Sequence, residues 1–115
     1  MKPLNWDALT SAKADEAFAD DAWLTFYLCG DPDYHGAMKP ELVDLGARNL
    51  DGAEGGFVYA KVPVRLDPVD IEQKIQIVRQ LSARHGLDIA IIDLDSSDDI
   101  WISKCYFLWN EGPLE

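Results

Sequence analysis

The residues best placed by type and spacing to do chemistry are the two aspartates of Ile89-Ala90-Ile91-Ile92-Asp93-Leu94-Asp95-Ser96. An apolar run ending in Asp-x-Asp imitates the strand and nucleophile of phosphoryl-transfer enzymes. In those enzymes one carboxylate attacks, a second two residues on moves the proton, and Mg²⁺ holds the phosphate. They also need a parallel α/β body after the motif to supply a phosphate-binding lysine. Only 20 residues follow Asp95, and their single basic side chain is Lys104. Short patterns of this kind arise readily by chance. Turn acids at a solvent-facing hairpin tip are the stronger reading.

The same acids raise the question of a metal. Ca²⁺ takes six to eight oxygens, and Asp93, Asp95, Asp98 and Asp99 offer carboxylates. The Gly and Glu positions of an EF-hand loop are missing. Cys29, Asp31, Asp33 and His35 form the only local cluster of mixed ligand types, yet zinc sites show paired Cys or His at tight spacing. His85, at a helix C-terminus, reads as a dipole-compatible surface residue. With two histidines and no adjacent nucleophile, a Ser or Cys hydrolase is poorly supported. The expectation is no metal, no cofactor and no enzymatic activity. The alternative is a small metal-assisted hydrolase using Asp93, Asp95 and His35.

Those residues must be held by elements that the hydrophobic pattern outlines. Asn5 is expected to cap a first helix with Trp6, Leu9, Ala14, Ala17 and Phe18 on one face, ended by Asp20 and Asp21. Trp23 to Cys29 alternates as a strand, with Leu24, Phe26 and Leu28 on one face and Trp23, Thr25 and Tyr27 on the other. A turn follows at Gly30-Asp31-Pro32-Asp33. Pro40 is expected to open a second helix that turns Leu42, Val43 and Leu45 inward and stops at Gly46. A short strand from Ala47 to Leu50 and a glycine-rich loop lead to Phe57–Val64. There Val58, Ala60, Val62 and Val64 oppose Phe57, Tyr59, Lys61 and Pro63, and Pro63 should end the strand or meet an edge. Asp67 and Pro68 then start a helix with an Ile71, Ile75, Val78 and Leu81 stripe, closed by Gly86. Leu87–Leu94 and Ile100–Trp109 are strands joined by a hairpin loop.

This order predicts a single α+β domain over residues 1–115. After the first helix it reads strand–helix–strand–strand–helix–strand, the split βαβ order of a ferredoxin-like α/β sandwich. An extra amino-terminal helix and an extra carboxy-terminal strand flank it.

Ten basic against 21 acidic side chains give a net charge of −11. Residues 1–56 carry four basic and eleven acidic groups, and residues 87–115 one and seven. Such a field repels phosphates and anionic headgroups and attracts basic surfaces. No leader-like segment opens the chain and no run approaches the ~20 apolar residues of a membrane span. A cytoplasmic location is expected, with Cys29 and Cys105 reduced and buried. Trp23, Tyr27, Phe57, Tyr59, Trp101, Phe107 and Trp109 point to an aromatic sheet face, either open or covered by the first helix. RNA-binding modules of similar topology stack bases on such a face, but they are basic.

An acidic chain, a helix ending at Leu45-Gly46, a strand opened by Gly56-Phe57-Val58, and a helix of the form Asp67-x-x-Asp70-Ile71-Glu72 together resemble the ribonuclease E inhibitor B family. The resemblance covers roughly residues 23–95. It implies an acidic ferredoxin-like protein that binds a nuclease rather than catalysing anything. It assigns no site residues, because Asp88-Ile89-Ala90-Ile91-Ile92-Asp93 stands where the family has a Tyr-Asp-Gly-Trp-Gly segment. The functional expectation is an acidic module that inhibits or regulates a basic partner, such as a nuclease or a toxin neutralised by an immunity protein. It binds no nucleic acid or membrane directly, and a homodimer or a ligand-free structural dimer is a further possibility. The expected partner-binding residues are Asp31, Asp33, Tyr59, Asp95, Asp98, Asp99 and Trp101.

Overall fold

The computed structural model describes residues 3–18, 21–30, 32–48, 57–97 and 104–110. They form α1 (Asp7–Ala14), β1 (Asp21–Cys29), α2 (Pro32–Asp44), β2 (Phe57–Arg65), α3 (Pro68–Arg84), β3 (Asp88–Asp95) and β4 (Cys105–Asn110). The architecture is α+β: three helices on an antiparallel sheet of order β2-β1-β3-β4. Beyond β2, Arg48 and Lys61 exchange backbone hydrogen bonds as an isolated antiparallel bridge. It falls within the expected 47–50 strand.

Alternation decides which face of the sheet is covered. Leu24 registers with Val62 and Leu94, and Phe26 with Ala60 and Ile92, so these side chains share one side. All are buried, in one cluster with Ile71, Ile75, Val78 and Leu81 of α3, Met38 and Leu42 of α2, and Ala8, Leu9 and Ala12 of α1. Burying this stripe of large side chains contributes about 1.5–3 kcal/mol per residue. All three helices therefore sit on the same face.

α3 begins at Pro68 as expected, but the cap differs. Asp67 is extended and its side chain makes no capping bond, whereas Asp70 Oδ2 accepts from the Arg65 N–H at 2.8 Å. α2 starts at Pro32, not Pro40, which lies inside it. Its period buries Met38 and Leu42 and leaves Val43 53% exposed. α1 is shorter than expected and ends at Ala14, with Ala14 and Ala17 exposed. Asn5 does not cap it. Asn5 instead ties the chain to β4, donating from its backbone N–H to Leu108 O and from its side chain to Phe107 O.

Pro63 sits inside β2 without breaking it. Lys61 bonds outward to Arg48, and two residues on the same edge side recurs, so the missing Pro63 N–H faces outward where the bridge has ended. Gly46, at φ +84°, packs there, with a Cβ on it only 3.1 Å from the Pro63 ring.

A one-residue bulge in β4 alters the expected aromatic face. Ile92 registers with Trp109 but Asp93 with Phe107, leaving Leu108 over. Trp109 is thereby turned onto the Ile92 side and buried, while Phe107 faces away and is 41% exposed. The two were expected on one face and stand on opposite ones.

Candidate functional site

The sheet face opposite the helices carries an ordered polar centre within an aromatic frame. Register places Lys61, Thr25, Asp93 and Phe107 in one cross-strand row, and Pro63, Trp23, Asp95 and Cys105 in the next. A third row holds Tyr59, Tyr27 and Ile91, and the Tyr27 and Tyr59 rings meet edge to face at 5.0 Å. No helix of the described residues packs here. Trp6 and Phe18 were candidates to cover it, but Trp6 lines a cleft against Glu72, Ile75 and Arg79 of α3. Phe18 stacks on Tyr106, which registers with core-facing Leu94.

At the centre the Lys61 Nζ lies 2.7 Å from Asp95 Oδ2, and the Thr25 hydroxyl donates to the same oxygen. Lys61 and Asp95 are only 2% and 4% exposed. A lysine has reached diagonally across β1 to a carboxylate on β3, and its remaining capacity goes partly to Ser97 O at 3.3 Å. Asp95 Oδ1 is buried and finds no hydrogen-bond partner among the described residues.

Asp93 stands beside this pair, half-buried. Burial and the Asp95 charge push its carboxyl up to about 6, against a hydrogen bond from Tyr27 and the charge of Lys61. Burial and then the same two carboxylates raise the Tyr27 hydroxyl. The Cys105 thiol is also raised, by partial burial first and by Asp93 and Asp95 next. Asp93, Asp95 and Cys105 each offer one donor atom within 4.8 Å of the others.

The expected site residues fare unevenly. Tyr59 is on this face and half-buried. Asp95 is not the solvent-facing turn acid anticipated: β3 runs through it, and the turn closes one residue later by the Ser96 N–H to Lys104 O bond. Asp31, Asp98, Asp99 and Trp101 lie outside the described residues, as do the side chains of Asp33, His35 and Phe57. Cys29 is half-buried and Cys105 exposed, against the expectation of two buried thiols, and neither forms a disulfide. They sit at opposite ends of the sheet, since Cys105 registers through Asp95 with Trp23, six positions along β1 from Cys29. His85 is tied down rather than loose, with Nε2 3.1 Å from Glu41 Oε1, and Arg84 meets Glu41 Oε2 at 2.8 Å.

The parallel body that an Asp-x-Asp nucleophile requires is absent among the described strands, all of which pair antiparallel. A basic side chain does stand at the motif, Lys61 rather than Lys104, but it is buried and paired with Asp95. Lys104 bonds Asp15 Oδ2 at 2.7 Å on the other side of β4. That bond, with others from Tyr106 and the Ala17 N–H, holds Asp15 down at about 2. Lys61 alternates onto the face opposite Ala60 and Val62, where a lysine reads as solvated, so nothing local in the sequence announced a buried pair.

Compared with known protein families, curated proteins and solved structures, the chain matches none. No helix of the described residues is long and apolar enough to cross a membrane.

Proposed function

We propose that this protein is an acidic, non-enzymatic binding module that docks and regulates a basic protein partner through the sheet face opposite its helices. The observation that carries the reading is the segregation of α1, α2 and α3 to one side. It leaves Trp23, Tyr27, Tyr59 and Phe107 framing Asp93 on the other. Aromatic anchors around a small polar centre are the usual composition of a docking patch. A net charge of −11 selects a basic partner and disfavours phosphate backbones.

In fold terms we read the Arg48–Lys61 bridge as the vestige of a strand outside β2. With it, the order outward from β3 becomes β3, β1, β2 and the Arg48 segment, the arrangement of a ferredoxin-like sandwich, with β4 as the addition. The likeness to the ribonuclease E inhibitor B family agrees with this, and favours a nuclease or other nucleic-acid enzyme as the partner. Immunity proteins that neutralise toxins fit the same physics. A second reading, metal-assisted hydrolysis through Asp93 and Asp95, draws on their closeness to Cys105.

The test is capture from the native host with the purified chain as bait, beside Tyr59→Ala and Phe107→Ser baits, at low and physiological salt. The expected result is a basic protein retained by the native chain, lost from both variants and weakened by salt. Captured proteins indifferent to both substitutions overturn the reading.

A further inference from the structure

We infer that Asp93, Asp95 and Cys105 form a binding site for one thiophilic divalent cation, zinc being the ion whose chemistry fits best. Their donor atoms lie within 4.8 Å of one another across adjacent strands β3 and β4. An acidic cluster alone would carry nothing. The deciding observation is Asp95 Oδ1, which is buried and unbonded on a side chain only 6% exposed.

A buried carboxylate oxygen without a partner forfeits its hydration for nothing, and native structures rarely leave one so. Its direction follows from its twin. Oδ2 is committed toward β1 and β2 by Thr25 and Lys61. The two oxygens of a carboxylate diverge from one carbon, so Oδ1 is turned from β1 and β2 toward β4, where Cys105 registers directly with Asp95.

Charge and softness select the ion. A thiolate favours zinc or its mimic cobalt, whereas Mg²⁺ and Ca²⁺ take oxygen sets. Two carboxylates and the Lys61 ammonium leave one negative charge, and a divalent cation that displaces the Cys105 proton as it binds leaves the loaded site neutral. Zinc bonds of about 2.0–2.3 Å bring tetrahedral donors to well under the present spacing, so modest side-chain rotations complete the site. Three protein donors leave a fourth position for water. The site joins the last described strand to its neighbour, and occupancy would hold β4 in its bulged register. The inference rests on this geometry and on neither functional reading.

The probe is Co²⁺, added to the reduced full-length chain after treatment with chelator. The expected result is one equivalent bound, with a near-ultraviolet sulfur-to-cobalt charge-transfer band that Zn²⁺ displaces. Cys105→Ser should abolish the band and Cys29→Ser leave it. Asp93→Asn should weaken affinity by at least about tenfold, the scale on which even supporting residues act. Far-ultraviolet circular dichroism checks that each variant is folded, and the exposed thiol of Cys105 makes its serine variant a mild change. No band in the native chain, or a band that survives Cys105→Ser, overturns the proposal.

Discussion

Lys61 and Asp95, 34 residues apart in sequence, form an ion pair at 2.7 Å with both side chains more than nine-tenths buried. Removing one member of such a pair strands a charge out of water, which costs about 3–5 kcal/mol, whereas replacing both by apolar groups is often neutral. Lys61→Met and Asp95→Leu should each destabilise on that scale, and the double variant should recover most of the loss. Urea unfolding of the four proteins closes the cycle. Additive single losses, with no coupling above about 0.5 kcal/mol, would mean that the pair is not made.

Asp93 gives the metal-free protein a distinct pH dependence. Its folded value of about 6 lies above the ordinary carboxylate value near 4, so the folded chain holds a proton that the unfolded chain has lost. The sign is therefore a penalty. It is absent below pH ~4, grows between ~4 and ~6 and is complete above ~6. Asp93→Asn removes the charge and still accepts from Tyr27. After discounting for its partial exposure, the variant should be more stable by about 1 kcal/mol at pH 7 and equal to the native chain at pH 4. Thermal melts in chelator across that range test it. A variant less stable at pH 7 than at pH 4, relative to the native chain, contradicts the assignment.

The first turn of α3 separates two acids that look alike. Asp70 accepts from the Arg65 N–H and lies 3.3 Å from Lys74, whereas the Asp67 side chain makes no cap bond. Asp70→Ala should cost about 1 kcal/mol, typical of a lost helix-end bond, and Asp67→Ala less than about 0.5. In the same helix Ile75→Ala should cost about 2–4 kcal/mol as a buried truncation. The reverse order of the two aspartates in chemical denaturation would restore Asp67 as the cap.

Gly30 closes β1 at φ +148°, and a Cβ there would lie 2.6 Å from the Leu87 Cδ2 and 3.1 Å from Gly86 O. Strain and overlap coincide, so Gly30→Ala should destabilise by about 1–3 kcal/mol, read from the urea midpoint. Pairing it with Leu87→Ala should relieve only the overlap. A Gly30→Ala variant as stable as the native chain would mean that this approach is looser than described.

What the sequence made legible follows the range of the forces involved. The α3 stripe and the alternation of Ala60, Val62 and Val64 are local periodicities, and both stand in the structure. The start of α2 was misplaced because two prolines, Pro32 and Pro40, compete for the same first-turn signal. The Lys61–Asp95 pair was out of reach, since it depends on the register of three strands. Phe107 and Trp109 parted because a bulge shifts the face by one residue, and no local pattern announces that. The approach of Cys105 to Asp93 and Asp95 rests on the same β3–β4 register.

Partner association offers the last prediction. Lys61 neutralises Asp95, so long-range attraction of a basic partner rests on the remaining net negative charge of the chain. Asp98 and Asp99 follow in sequence within the more acidic carboxy-terminal part. Exposed charges are screened beyond a Debye length of about 8 Å at physiological ionic strength. The on-rate should therefore fall steeply with salt, and fall again when Asp98 and Asp99 are changed to Asn. Tyr59→Ala removes a short-range contact of the sheet face and should act on the off-rate instead. Stopped-flow mixing with the captured partner at two salt concentrations separates these effects. An on-rate indifferent to both salt and the Asn substitutions would leave the acidity as a matter of solubility, and an off-rate indifferent to Tyr59→Ala would place the docking surface elsewhere.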